Sequence, residues 1–180
     1  MIIIGLGNPG KKYENNRHNV GKMFINYLTQ NSKVNRPAGG QNYNLNLKTF
    51  KTNCFMNENG KEVKKILKTL QVKSYKLHDL FIVHDDLDIP LGKFRIDFGK
   101  GPKLHNGIKS IEQTLKTKEF WRIRIGVDNR QKTGWVDGET YVLQDFLKEE
   151  KEVLEKEVFL KIVKKFLNLF PTVAVKIRLL

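Results

Sequence analysis

Strand-like and helix-like segments alternate along the chain, and this alternation limits the fold more than any other feature of the sequence. Two continuous apolar runs are typical of strands covered on both faces of a sheet, at residues 2–6 and 80–83. Three further segments alternate apolar and polar residues, as half-buried strands do, at 43–47, 94–98 and 121–127. Apolar residues recur at helical spacing near 20–28, 63–70, 108–115 and 148–170. The pattern predicts an α/β fold with a mixed β-sheet covered by helices on both faces, and the length predicts a single domain over residues 1–180.

The composition favours a soluble globular protein of a reducing compartment. Hydrophobic residues make up 39% of the chain, and no run of about 18 apolar residues predicts a membrane span. We expect no secretory signal, since no basic segment precedes Ile2. A single cysteine, Cys54, excludes an internal disulfide framework. We therefore expect a cytoplasmic location.

The charge balance is strongly basic. The chain has 33 Lys and Arg against 19 Asp and Glu, a net charge of +14. A compact domain with this excess attracts polyanions, chiefly nucleic acid. A lysine-rich composition also arises from an AT-rich genome, so charge alone leaves both interpretations open.

The glycines near the N-terminus first suggest a nucleotide site. Gly5, Gly7 and Gly10 form G-x-G-x-x-G after a strand-like run, the pattern of a dinucleotide-binding turn. That motif needs a helix that begins at the glycines and an acidic residue about 20 residues later. Residues 11–17 carry no apolar stripe, and Asp and Glu are absent from 15–57. The sequence therefore predicts no NAD binding, and the glycines would let the backbone turn sharply and present Asn8.

Polar side chains cluster just beyond the predicted strand ends. Open α/β sheets bind ligands at the carboxyl ends of their strands, so these groups are expected to meet in one cleft. They are Asn8, His18, Asn57, Asp85, Asp86, Asp88, His105 and Asn106. Each has a plain alternative: a solvated histidine, a turn asparagine or a solvated acidic loop.

Taken in order, these segments resemble the bacterial-type peptidyl-tRNA hydrolases. The matching stretches are GLGNPGKKYENNRHNVG (5–21), FMNENG (55–60), HDDLDIPLGKFRI (84–96), HNGIKSI (105–111) and WRIRIGV (121–127). The resemblance covers roughly residues 1–127 and fades beyond them. It implies a single α/β domain that cleaves the ester between a peptide and the 3′ end of tRNA, without a metal or cofactor.

The resemblance also implies roles for individual residues. His18 would be the catalytic base and Asp85 its partner. The substrate-binding residues would be Asn8, Tyr13, Met56, Asn57, His105 and Asn106. Arg124 would point to the 5′-phosphate region of the tRNA, and Arg95 and Lys103 are expected to add charge there.

The sequence departs from the family pattern at three places. The glycine-rich loop before His105 lacks one histidine and two glycines of the family pattern and contains Pro102. Asp97 stands where the family often has a basic residue. Residues 172–180 alternate like a strand, where the family usually ends in a helix.

The chemistry of the residues suits the implied reaction. A neutral imidazole accepts a proton from water near pH 7, and a carboxylate on its other nitrogen fixes the tautomer. No nucleophile elbow is present, Cys54 has no evident paired histidine, and the four histidines lack zinc-ligand spacing. The predicted function is peptidyl-tRNA hydrolysis by a monomer; the alternatives are a non-catalytic RNA-binding relative and a nucleotide-dependent oxidoreductase.

Overall fold

A five-stranded mixed sheet forms the centre of the fold. The computed structural model describes residues 1–31, 47–72 and 74–171. The strands are β1 (Ile2–Gly5), β2 (Lys48–Lys51), β3 (Leu80–Pro90), β4 (Phe94–Phe98) and β5 (Trp121–Asp128). Their order is β2-β1-β3-β5-β4, and only β4 runs antiparallel to its neighbour. The predicted mixed sheet is confirmed.

Helices cover both faces of this sheet. They are α1 (Val20–Asn31), α2 (Asn59–Thr69), α3 (Asn106–Leu115), α4 (Arg130–Thr133), α5 (Gly138–Val142), α6 (Lys148–Val153) and α7 (Phe159–Leu169). Side chains alternate along a strand, so odd-numbered residues of β1, β3 and β5 pack against α1 and α7. Even-numbered residues of β1 and β3 pack against α2 and α3. One apolar layer thus lies on each face of the sheet, as predicted for a sheet covered by helices on both faces.

The first turn of α1 lies unusually close to the sheet. A Cβ on Gly21 would collide with the carbonyl oxygen of Val83 and with the backbone of Leu6. Glycine at this position therefore allows the helix to approach the ends of β1 and β3. The residues just before α1, including His18, are held against these strand ends as a result.

Strand β3 is longer than the sequence predicted. The expected strand ended at residue 83, with His84 and the acidic residues in a following loop. Instead β3 pairs with β5 through Asp86 and again at Pro90, after an irregularity in register. His84, Asp85 and Asp86 are consequently buried strand residues, and the interpretation of a solvated acidic loop is wrong for them.

The long C-terminal helical prediction is confirmed in a modified form. A π-helical turn at Leu154–Val158 joins α6 to α7, so helical structure runs from Lys148 to Leu169. The strands predicted at 43–47 and 172–180 lie, except for residue 47, outside the described residues. Among the helices that are described, none has the length and apolarity to cross a membrane.

Candidate active site

Two histidines converge on one buried carboxylate at the carboxyl end of the sheet. The Nδ1 atom of His18 lies 2.8 and 2.9 Å from the two oxygens of Asp85. On the other side, Nε2 of His105 lies 2.9 Å from Asp85 Oδ1. His18 comes from the 3₁₀ turn before α1, Asp85 from β3 and His105 from the N-cap of α3. Segments distant in sequence thus form one hydrogen-bonded group.

The start of helix α3 fixes the tautomer of His105. The backbone N–H of Ile108 donates to Nδ1 of His105, at 3.3 Å. An N–H group can only donate, so Nδ1 must carry a lone pair and the proton of a neutral ring lies on Nε2. His105 therefore donates to Asp85, in addition to capping the helix.

The same logic orients His18. Both oxygens of Asp85 face its Nδ1, so Nδ1–H donates and Nε2 keeps its lone pair. The His18 side chain is 12% exposed, whereas the Asp85 side chain is 3% exposed. The basic nitrogen is therefore the one left for a molecule in the cleft.

Burial and charge act in opposite directions on the pKa values of this group. Burial lowers the pKa of His18, but the charge and hydrogen bond of Asp85 outweigh it and raise the pKa above its ordinary value. For Asp85, burial raises the pKa, yet the two histidines hold it well below its usual range. Asp85 is thus ionised at neutral pH, and His18 is a stronger base than a free imidazole.

Asn8 presents its amide nitrogen to the cleft. Its Oδ1 accepts from the backbone N–H of Met56, at 3.2 Å, so Nδ2 is the group left to donate. The Asn8 backbone is held by Asn19, which accepts from its N–H and donates to its carbonyl at 2.8 and 3.0 Å. Lys22 Nζ donates to the same carbonyl at 2.8 Å. Sequence reasoning did not identify Asn19 and Lys22, although Asn19 lies inside the matching stretch 5–21 that also contains His18.

The remaining predicted substrate-binding residues surround this group at different depths. Met56 is buried, and its sulfur lies next to Gly107 at the start of α3. Tyr13 packs edge-on against Phe55, with ring centroids 6.2 Å apart. Asn57 and Asn106 are exposed. The structure therefore brings apolar and amide groups to the same edge of the sheet as His18.

Arg124 does not have the environment that the sequence suggested. It is 8% exposed, and its guanidinium donates to Asp86 at 2.7 Å and to Asp97 at 2.9 Å. A Cβ on Gly101, which has a φ of +63°, would collide with that guanidinium. The glycine loop therefore lies directly on Arg124. Asp97 neutralises this cation, so the expectation of a free phosphate-binding Arg124 is not supported.

Arg95 and Lys103 remain at the surface near Arg124. Arg95 is opposite Arg124 in the antiparallel register, so both side chains lie on the same face of the sheet, as the sequence predicted. Arg95 and Lys103 are exposed, and the backbone N–H of Lys103 donates to Asp88 at 3.2 Å. Lys103 Nζ also forms an exposed ion pair with Asp88 at 3.8 Å. Both side chains reach solvent, whereas Arg124 is buried.

Two further features of the site were missed at the level of sequence. His84 is fully buried, its Nδ1 lies 2.6 Å from the Asp85 carbonyl, and burial holds its pKa well below the ordinary value. His18, Asp85 and His105 also offer ligand atoms within 4.8 Å of one another, which is a geometry that a metal ion could share. Spacing along the chain gave no sign of this, because the three residues come from different elements. In the described arrangement both imidazoles bond to Asp85, so a metal would have to displace their protons.

The sequence matches the family model for peptidyl-tRNA hydrolase over residues 2–176. The chain belongs to the peptidyl-tRNA hydrolase family. The match extends well past residue 127, where the resemblance read from motifs faded, and it confirms that resemblance.

Relatives and solved structures of peptidyl-tRNA hydrolases agree with this assignment. The chain is 39% identical to the peptidyl-tRNA hydrolase of Sulfurihydrogenibium sp., covering 86% of this chain and 82% of that protein. It is 41% identical to the one from Fervidobacterium nodosum, covering 87% and 82%. The crystal structure of the peptidyl-tRNA hydrolase from Acinetobacter baumannii superposes with a TM-score of 0.70 at 24% identity, covering 96% of this chain and 91% of that one. This last likeness supports the fold.

Proposed function

We propose that this chain hydrolyses the ester bond between a peptide, or an N-blocked aminoacyl group, and the 3′ end of tRNA. The observation that carries the proposal is the pair of His18 and Asp85, in which Nδ1 bonds to a buried carboxylate and Nε2 is left to face the cleft. Family membership supplies the substrate class, because the relatives are named peptidyl-tRNA hydrolases.

In the proposed reaction, His18 is the general base. Its Nε2 takes a proton from water while the water oxygen attacks the ester carbonyl carbon. Asp85 stabilises the imidazolium that forms. The tetrahedral intermediate then collapses, the bond from carbon to the ribose oxygen breaks, and the proton on Nε2 passes to that oxygen. The products are a free tRNA and a free peptide acid, which loses its proton to solvent and becomes the carboxylate.

Asn8 is the proposed donor to the oxyanion. Its orientation is fixed on three sides, by Met56, Asn19 and Lys22, so the Nδ2 group needs little rearrangement to donate. A preorganised donor of this kind typically contributes about 10²- to 10³-fold to the rate. We assign substrate contacts around it to Tyr13, Met56, Asn57 and Asn106. His105, which bonds to Asp85, becomes a positioning residue.

We assign the binding of the acceptor-end phosphates to Arg95 and Lys103. Both are exposed cations on the surface beside the glycine loop. A groove that begins at Asn8 and follows α1 adds further positive charge. Its charged lining residues are Lys11, Lys22, Lys51, Lys151, Lys156, Glu14 and Glu155.

A non-catalytic RNA-binding relative is the competing function. It requires the basic surface but has no use for a buried carboxylate with two imidazole donors. Burying an ionised carboxylate is costly unless it is paired, and here the pairing also leaves a basic nitrogen in the cleft. This arrangement favours the enzyme.

The test is release of free tRNA from an N-blocked aminoacyl-tRNA. We expect His18→Ala to abolish release while retaining the fold and tRNA affinity, because the side chain packs in no apolar core. The matched control is His78→Ala, since His78 is exposed and precedes β3 at the opposite edge of the sheet. Wild-type turnover in His18→Ala would contradict the assignment of the base, and binding without any release by the native chain would favour the competing function.

A further inference from the structure

Trp135 is a large aromatic residue with no structural role in the core. It is 84% exposed and lies between α4 and α5. Its exposed neighbours along the chain between 131 and 137 are polar or small: Gln131, Lys132, Thr133, Gly134 and Asp137. An exposed indole in polar surroundings differs from the contiguous apolar patch that is typical of a stable protein interface.

One face of the indole is backed by a column of alternating cations and rings. The Arg130 guanidinium lies 4.7 Å from the centroid of Trp135 and 5.5 Å from that of Tyr141. The Arg17 guanidinium also lies over the Tyr141 ring, 4.1 Å from its centroid. Arg17 in turn lies 5.3 Å from the buried ring of Phe146. Trp135 is thus the exposed end of a column that reaches the core.

Hydrogen bonds hold this column rigidly. Arg130 forms a two-pronged ion pair with Asp128, at 2.9 and 3.0 Å. The hydroxyl of Tyr141 accepts from the backbone N–H of Asn129 at 3.0 Å. Arg17 pairs with the buried Glu150 at 2.7 Å. The groups behind the indole are therefore fixed before a ligand stacks on it, which lowers the entropy cost of binding.

The column also connects Trp135 to the candidate active site. Arg17 immediately precedes His18 in the same 3₁₀ turn. Arg130 follows the carboxyl end of β5, the same edge of the sheet at which β3 delivers Asp85. Because Arg130 contacts the indole, Trp135 lies toward the same end of the sheet as the candidate site.

We propose that Trp135 is a stacking platform for an unpaired base of the single-stranded 3′ end of tRNA. The inference rests on the proposed function for the choice of RNA. Every base has a π-face, so aromatic stacking accepts single-stranded nucleic acid without reading its sequence. The net charge of +14 favours a polyanion over an apolar protein partner.

Tryptophan fluorescence tests the platform directly. Trp121→Phe leaves Trp135 as the single tryptophan, since the chain has two. We expect uncharged tRNA to quench its emission, and tRNA that lacks the unpaired 3′ nucleotides to quench it much less. Equal quenching by both RNAs, or none by either, would overturn the proposal.

Kinetics provide the second test. Trp135→Ala should raise KM about 5-fold or more with kcat within about 2-fold, and Trp135→Phe should lie between it and the native chain. Leu169→Ala is the matched control, because Leu169 is 49% exposed and lies on α7. An unchanged KM in Trp135→Ala would refute the platform, as would a concentration-dependent dimer that this substitution abolishes.

The proposed hydrolysis and the proposed stacking platform can be refuted independently. Quenching by uncharged tRNA does not require hydrolysis. Quenching by tRNA without hydrolysis would refute the proposed enzyme and support the platform. Hydrolysis with a normal KM in Trp135→Ala would refute the platform and support the proposed enzyme.

Discussion

Replacing Asp85 by asparagine is expected to reverse the tautomer of His18. His105 must keep its proton on Nε2, because its Nδ1 accepts from Ile108. The single amide oxygen of Asn at position 85 will therefore take the Oδ1 place, which faces both imidazoles, and the amide NH₂ will take the Oδ2 place and donate to Nδ1 of His18. The Nδ1 atom of His18 then becomes an acceptor, its proton moves to Nε2, and the cleft receives an N–H group instead of a lone pair.

The magnitude follows from the two effects of the lost carboxylate. A wrong tautomer at a histidine base costs about 10²- to 10⁴-fold in kcat, by analogy with the same substitution in a Ser-His-Asp triad. Loss of an opposite charge in contact with an imidazole lowers its pKa. This direction is the expected one, because Asp85 raises the pKa of His18 in the native chain. The residual activity should therefore extend to lower pH than that of the native chain.

A second substitution makes this reasoning refutable. Asparagine at position 105 is a good helix N-cap, but it is too short to replace the imidazole against Asp85. In the double variant of Asp85→Asn and His105→Asn, the amide oxygen is free to turn to His18, and we expect kcat to rise about 10-fold above that of Asp85→Asn alone. Imidazole ¹⁵N chemical shifts report which nitrogen of His18 carries the proton in each variant. A double variant less active than Asp85→Asn, with an unchanged tautomer, would refute the argument.

Three other outcomes are expected. In the native chain, kcat/KM should fall as the pH drops through the raised pKa of His18, above 6.5, because protonation removes the base; a flat profile from pH 5 to 8 would contradict its role. Asp86→Ala should reduce the free energy of unfolding by about 3 to 5 kcal/mol in urea titrations, since it deprives the buried Arg124 of its shorter ion pair; a loss below about 1 kcal/mol would show that Asp97 suffices. Arg95→Ala and Lys103→Ala should each lower the slope of log KM against log salt by about 1. Arg124→Ala should leave that slope unchanged, and the opposite ranking would restore Arg124 as the phosphate contact.

The fold was predictable where one local signal dominates. The apolar runs of β1 and β3 and the helical spacing of α1 and α7 each point to a single structure, because burial and periodicity agree. The end of β3 was not predictable in this way. Polar residues normally end a strand, but here His84, Asp85 and Asp86 stay in the sheet because partners on other segments satisfy them.

Some contacts of the candidate site were likewise predictable from the sequence, and others were not. His18 and Asp85 were paired at the level of sequence because their motifs resemble those of the peptidyl-tRNA hydrolases. The bonds from His105 to Asp85 and from Arg124 to Asp97 join residues 20 and 27 positions apart. No local pattern encodes such pairs, since they depend on the path of the glycine loop. In the sequence, Asp97 stood out as an acidic residue at a position where the family often has a basic one, whereas in the structure it forms an ion pair with Arg124.

The double role of His105 makes the start of α3 part of the reaction machinery. A proton on Nδ1 of this ring would remove the acceptor of the Ile108 N–H, and fraying of the first helical turn would remove the second donor to Asp85. Folding of one helix end and orientation of the Asp85 carboxylate are therefore a single equilibrium. Exchange of the Ile108 amide hydrogen with solvent reports on this equilibrium. The exchange should be slow while His105 bonds to both Ile108 and Asp85, and faster in any variant that breaks these bonds.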